Sequence, residues 1–218
     1  MRNTSLQFHY EADPISIEKN SFNTIRQVTD LAPFNRDEQQ VVMRIVHSTG
    51  LPEVAQHVRF SKHACTSIRQ ALEKNHAILC DVEMVKQGIT KRMIKREPLC
   101  FLNASETAEQ AREQQQTRSM AALSMWGPYL QGSVVIIGNA PTALFKLLEM
   151  IAAGAPKPAA IIGMPVGFIG AAESKQALWD TYNALGVECI TLLGNMGGSA
   201  VSAAACNALL RCNIGEYY

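Results

Sequence analysis

Three glycine-bearing turns in the second half of the chain, Gly138-Asn139, Gly167 to Gly170 and Gly194 to Ser199, each stand between an apolar run and a helical one. A helix that begins at such a turn presents free N–H groups and a partial positive charge. Glycine, lacking Cβ, lets a ligand come close to that backbone. Three such turns together suit an anion with several negative groups. Asn139 and Thr142 frame the first turn, and Asn139 either faces a ligand or serves the turn geometry. Gly197, Gly198 and Ser199 are candidate backbone donors in the third. His47 lies at the end of a helical segment in RIVHSTG. On spacing alone it reads as a helix-end cation, worth roughly 0.3–1 kcal/mol against the helix dipole.

Other chemistries leave no mark. The chain has no G-x-x-x-x-G-K-[ST] and no G-x-G-x-x-G, so neither usual phosphate cradle is present. It has no H-E-x-x-H, no G-x-S-x-G and no spaced Cys/His ligand set; His63-x-Cys65 is too small a constellation for a metal. The six cysteines, Cys65, Cys80, Cys100, Cys189, Cys206 and Cys212, form no C-x-x-C pair and mostly sit in apolar segments. They read as small buried hydrophobes of a reducing compartment. The residues by themselves therefore describe an anion-binding domain with no metal and no nucleotide cofactor, and they do not identify a reaction.

The elements that must hold these turns follow from patterning. With 218 residues and 47% hydrophobic content, one α/β domain over 1–218 is expected. Twenty basic against nineteen acidic residues give a net charge of +1, without the basic excess of a nucleic-acid binder. The first residues, MRNTSLQFHYEADP, carry no apolar core of signal length, and no window reaches the roughly 18 apolar residues of a membrane span. A cytoplasmic protein is expected. Asp13-Pro14 opens a helix to about Asp30; a second runs from near Asn35 to Gly50; Ser61 is expected to cap a third, ending near Asn75. Ala77 to Cys80 is strand-like, Leu99 to Leu102 a weaker strand, and Glu106 to Gln116 and Ser119 to Leu130 helical. VVIIGN, AAIIGM and VECITLLGN then each lead through a turn into a helix. Apolar strands alternating with helices imply a mainly parallel sheet covered on both faces, with its ligand edge at the strand-to-helix turns.

The chain also resembles a known family. GNAPTALF from Gly138, PVGFIGAAESK from Pro165 and RIVHSTG from Arg44 are similar to the motifs of precorrin-8X methylmutases of corrin (vitamin B12) biosynthesis. SFNTIR, LCDVEMVKQGIT, TRSMAA and GGSAVSAAACNAL extend the likeness along nearly the whole chain. The resemblance implies a flavodoxin-like three-layer α/β/α fold and a homodimer. It also implies one reaction, moving a methyl group from C11 to C12 of precorrin-8X or of its cobalt form. The substrate is a tetrapyrrole polycarboxylate, which agrees with the anion-binding turns. The shift is formally a [1,5]-sigmatropic one, which calls for no redox cofactor, nucleophile or methyl donor. It calls for an acid that protonates the macrocycle, and hand-over to neighbouring corrin-pathway enzymes is a further expectation.

By the same resemblance His47 is the acid, its ordinary pKa of about 6.5 suiting the task. Arg118 is a carboxylate contact, and Ser21, Arg26 and Thr90 touch substrate. Thr117 and Ser119 beside Arg118 either cap a helix or bond the ligand. Glu173 to Lys175 are read as structural or interfacial. The chain departs from the family pattern at Asn195, where a basic residue is expected, and at Val28, where an acidic one is; RCNIGEYY matches no part of it. The rival reading is a non-catalytic carrier of a corrinoid intermediate, which would bind pigment and leave it unchanged.

Overall fold

The computed structural model describes residues 6–218; residues 1–5, the start of the stretch read for a leader, lie outside the described residues. Helix α1 (Pro14–Val28) starts as its sequence requires: the Asp13 carboxylate accepts from the Ser16 N–H, and Pro14 occupies the first turn. Helix α2 (Arg36–Thr49) opens on a capping box in which Asn35 and Glu38 bond each other's backbone N–H. It closes at Gly50, whose φ of 69° turns its N–H back to the Val46 carbonyl. A 3-10 turn over Pro52–His57 leads into strand β1 (Val58–Phe60). The patterning did not mark β1, which is only three residues long.

Helix α3 (Ala64–Glu73) starts later than expected, and His63, not Ser61, precedes it. The Ser61 hydroxyl donates to the Glu188 carboxylate and accepts from the Cys189 N–H, tying the loop to a neighbouring strand. Strand β2 (Ile78–Cys80) leads to α4 (Glu83–Gly88). The Leu99 segment makes only an isolated bridge to Leu79, so no strand forms at Leu99 to Leu102. Helix α5 (Ser105–Glu113) matches the polar helical stretch. The next stretch breaks into α6 (Arg118–Ala121), a 3-10 turn and α7 (Gly127–Leu130), because Pro128 supplies no N–H to continue a single helix.

Three strand–helix units complete the chain: β3 (Val134–Ile137) with α8 (Pro141–Ala152), β4 (Ala160–Gly163) with α9 (Ala171–Leu185), and β5 (Glu188–Leu192) with α10 (Ser199–Asn213). The sheet order is β1-β5-β4-β3-β2, parallel throughout except for the antiparallel β1. Alternate strand residues serve two cores. Val134, Ile136, Ile162 and Ile190 face α1, α2, α3, α4 and α10. Val135, Ile137, Ile161 and Cys189 face α7, α8 and α9. Each buried branched side chain contributes about 1.5–3 kcal/mol, so the two faces fix the layer order.

This topology decides what meets at the ligand edge. Val58, the first residue of β1, pairs with Leu192, the last of β5, and the Leu193 N–H bonds the His57 carbonyl. The chain leaving α2 therefore reaches the sheet at the C-terminal ends of the parallel strands. The last turn of α2, which carries His47, stands at that edge with the turns after β3, β4 and β5.

Candidate functional site

His47 sits in the last turn of α2, where Gly50 already closes the helix, so the imidazole is not needed as a cap. Its Nδ1 lies 2.9 Å from the Ser21 hydroxyl on α1. The hydroxyl accepts from a protonated Nδ1, in the cation and in the Nδ1–H tautomer, and donates to a bare one, so Ser21 holds the imidazole in either state. The other ring nitrogen makes no hydrogen bond among the described residues. Phe22 stacks on the ring with centroids 5.2 Å apart. Burial, and then the charge of Arg44, hold the His47 pKa below its ordinary value; Glu18 opposes them.

Behind His47 lies a charged cluster that the patterning did not suggest. Arg44 donates to Glu18 at 2.7 Å and to the Tyr218 hydroxyl at 2.8 Å. Arg211 stands 3.3 Å from the same Glu18. Arg26, expected to touch substrate, instead donates to the main-chain oxygen of Tyr218. Ser21 and Arg26 thus separate: the first belongs to the histidine, the second to the segment after α10.

On the other side of the sheet edge, Thr117 caps α6 by accepting from the Met120 N–H, and its hydroxyl lies 2.8 Å from that of Thr142 in the first turn of α8. Capping thus falls to Thr117. Arg118 follows, exposed, with no ion pair or hydrogen bond to its guanidinium among the described residues. Such a cation at a helix start is available for a carboxylate. Ser119 is buried beside it.

The turn after β3 corrects one expectation. Its N–H groups are not free: Gly138 donates to one oxygen of Asp81, and Asn139 and Ala140 donate to the other, at 2.8–3.0 Å. Pro141 then has no N–H to offer. A buried carboxylate from the end of β2 therefore occupies the anion site of α8. Burial pushes the Asp81 pKa up, and the three donors pull it down. Gly138 is required by contact, since a Cβ there would lie 2.7 Å from Val85 and 2.9 Å from the Ser199 backbone. What this turn offers a ligand is the Asn139 side chain, which is exposed, and Thr142.

The turn after β5 remains open. Gly197 has φ 156° and its Cβ position lies 2.3 Å from the Met164 carbonyl oxygen, so no other residue fits. Gly198 spends its N–H on Met164, whereas no hydrogen bond engages the N–H of Gly197 or Ser199 among the described residues. Lys175, fully buried on α9, donates to the Met196 carbonyl and so clasps this turn; burial lowers its pKa to about 8. The ESK motif is structural to that extent. Thr90 is not brought to the edge: its N–H is held by Asn207, eight residues into α10 and so about 12 Å along the helix from Ser199.

A hollow of about 890 Å³ lies elsewhere, lined by Asp30, Glu38, Glu53 and Arg59 among others. Three carboxylates against one guanidinium would repel a polyanion, and none of the expected site residues lines it. The sheet edge is the better candidate. Five of the cysteines are buried and Cys100 half-buried; all six are unbridged. No helix among the described residues is long and apolar enough to cross a membrane.

Comparisons with known proteins identify the family. The family model of precorrin-8X methylmutase matches residues 16–212. A precorrin-8X methylmutase from Sinorhizobium sp is 47% identical over 94% of this chain and 98% of its own length. A cobalt-precorrin-8 methylmutase from Leptospira interrogans is 33% identical over 89% of this chain and 92% of its own. The solved precorrin-8X methyl mutase of Thermus thermophilus superposes with a TM-score of 0.83 at 33% identity, covering 92% of this chain and 97% of that one. With a family model spanning both the His47 and the α10 motifs, the chain belongs to the precorrin-8X methylmutase family.

Proposed function

We propose that this isomerase of cobalamin biosynthesis moves the C11 methyl group of precorrin-8X to C12, with His47 as the general acid. The observation that carries the reading is the Ser21–His47 pair, 2.9 Å apart, at the edge where the sheet gathers its strand-to-helix turns. The imidazolium gives its proton to the macrocycle, which becomes electron-poor and favours methyl migration. It regains the proton when the product forms. The proton leaves from and returns to the unengaged Nε2, while Ser21 accepts from the Nδ1–H throughout and so fixes the ring. Arg118, Asn139, Thr142 and the open N–H groups of Gly197 and Ser199 receive peripheral carboxylates, with Arg118 able to bind one in a bidentate pair. The higher identity to a relative named for precorrin-8X, 47% against 33% for one named for the cobalt form, favours the metal-free substrate.

The reading includes a homodimer in the cytoplasm that hands its pigment to neighbouring corrin-pathway enzymes. Phe168 and Ile169, each 92% exposed in the turn after β4, are apolar surface that an interface at this edge would cover.

Absorption spectroscopy tests the function. Purified protein mixed with precorrin-8X, and separately with the cobalt form, is expected to convert the first faster to the corrin-type spectrum. His47→Ala is expected to bind product and lose turnover by at least about a hundredfold, in the range of one general acid. Full turnover by His47→Ala would remove His47 from the mechanism. Pigment binding without conversion in both tubes would make the protein a carrier.

A further inference from the structure

The segment after α10 matches no family motif, yet it enters the packing beside His47. Tyr218 stacks on Phe22 with ring centroids 4.0 Å apart, and Phe22 stacks on His47 at 5.2 Å, so three rings form one column between α1 and α2. The column is fastened on every side. The Tyr218 hydroxyl accepts from Arg44, its N–H donates to Gln40 at 2.8 Å, and its main-chain oxygen accepts from Gln40 and Arg26. Arg44 lies over both the Phe22 and the Tyr218 rings, at 4.5 and 4.9 Å. The charged groups facing the column are Glu18 and Arg26 from α1, Arg44 from α2 and Arg211 from α10. Tyr217 anchors the segment further, with Arg36 over its ring at 3.8 Å and its hydroxyl donating to Asp37.

We infer that Tyr218 is a positioning residue for His47: it backs Phe22, fixes α1 against α2, and so holds the Ser21 hydroxyl on the imidazole. Besides the tyrosine ring, the guanidinium of Arg44 lies over Phe22, and it itself bonds the tyrosine. Without the ring, Phe22 would tilt into the space left behind. Water would then reach Arg44, whose charge acts on the imidazole less when screened. This assignment rests on the reading of His47 as the acid only for its catalytic consequence; the geometry is independent of it.

Tyr218→Ala and Tyr218→Phe test the inference by two readouts. Nitrogen-resolved NMR titration of His47 in ligand-free protein reports the imidazole directly, and steady-state rates with precorrin-8X report turnover. Tyr218→Ala is expected to raise the His47 pKa toward its ordinary value and to lower kcat about tenfold with little change in KM, the pattern of a misplaced catalytic group. Tyr218→Phe keeps the stack and is expected to keep kcat within about twofold, a rescue that tracks the ring. If Tyr218→Ala does not fold, Tyr218→Leu replaces it, filling part of the space without an aromatic face. A folded Ala or Leu variant with wild-type titration and wild-type kcat overturns the inference. A shifted titration with unchanged kcat would keep Tyr218 as the support of His47 and count against His47 as the acid, so the two claims fail separately.

Discussion

Replacing Asp81 by Asn tests the claim that a buried carboxylate, not a ligand, closes the turn after β3. The wild-type carboxylate receives three N–H groups on two oxygens, from Gly138 on one and from Asn139 and Ala140 on the other. An asparagine offers one oxygen. Placed where it serves Asn139 and Ala140, it turns its NH2 group toward the Gly138 N–H, donor against donor, in a site sealed from water. The cost is one charge-assisted bond lost, two bonds reduced to neutral strength and one buried donor left unsatisfied. The unsatisfied donor costs about 1–3 kcal/mol, while removing the buried charge relieves its burial cost and offsets the weakened bonds, so about 1–3 kcal/mol of destabilisation is expected. For a chain of this size that lowers Tm by roughly 2–12 °C. Thermal unfolding followed by circular dichroism measures it. Amide hydrogen exchange at Asn139 and Ala140 should quicken beyond the global change, because the turn opens locally. A variant that unfolds at the wild-type temperature with unchanged exchange at these amides would show that the three bonds contribute little. It would return the α8 turn to the set of candidate anion sites.

Two further outcomes concern charge. The acid must carry its proton in the free enzyme, and burial and Arg44 hold the His47 pKa below its ordinary 6.5; kcat/KM should therefore fall as pH rises through a value below about 6.5, whereas bound carboxylates should move the fall in kcat to higher pH. Coincident limbs in the two profiles would refute this. Lys175 has its pKa lowered from 10.5 to about 8 by burial, so the folded chain binds fewer protons than the unfolded one between those values and gains stability as pH rises across them. Lys175→Met is accordingly expected to be as stable as wild type or more so at pH 7, with its advantage shrinking from pH 8 to 10.5; a Tm difference that does not change over that window would mean the ammonium bears no burial cost.

The sequence by itself determined the parts whose physics is local. Asp13-Pro14 and the Asn35–Glu38 pair open helices because their side chains satisfy N–H groups a few residues away. The apolar runs before Gly138, Gly163 and Gly194 are parallel strands because they are buried on both faces whatever surrounds them. The family motifs named His47, Ser21 and Arg118 as reactive or binding side chains, with His47 and Arg118 near helix ends and Ser21 in the middle of α1. What lay beyond reach was every choice made between distant segments. That Asp81 consumes the N–H groups of the α8 turn depends on β2 lying beside β3, which no residue near Gly138 encodes. Ser61 left its capping position for Glu188 because β1 joined the sheet beside β5. Arg26 looked like a substrate ligand five residues from Ser21, but Tyr218, 192 positions away, is where its guanidinium goes. Hydrogen bonds and charges act through space, over a few ångströms, and periodicity reads only along the chain. His47 could thus be named as the candidate acid from the family motifs, whereas the groups packed around it, Phe22, Arg44, Glu18 and Tyr218, were decided by the tertiary packing of α1, α2 and α10.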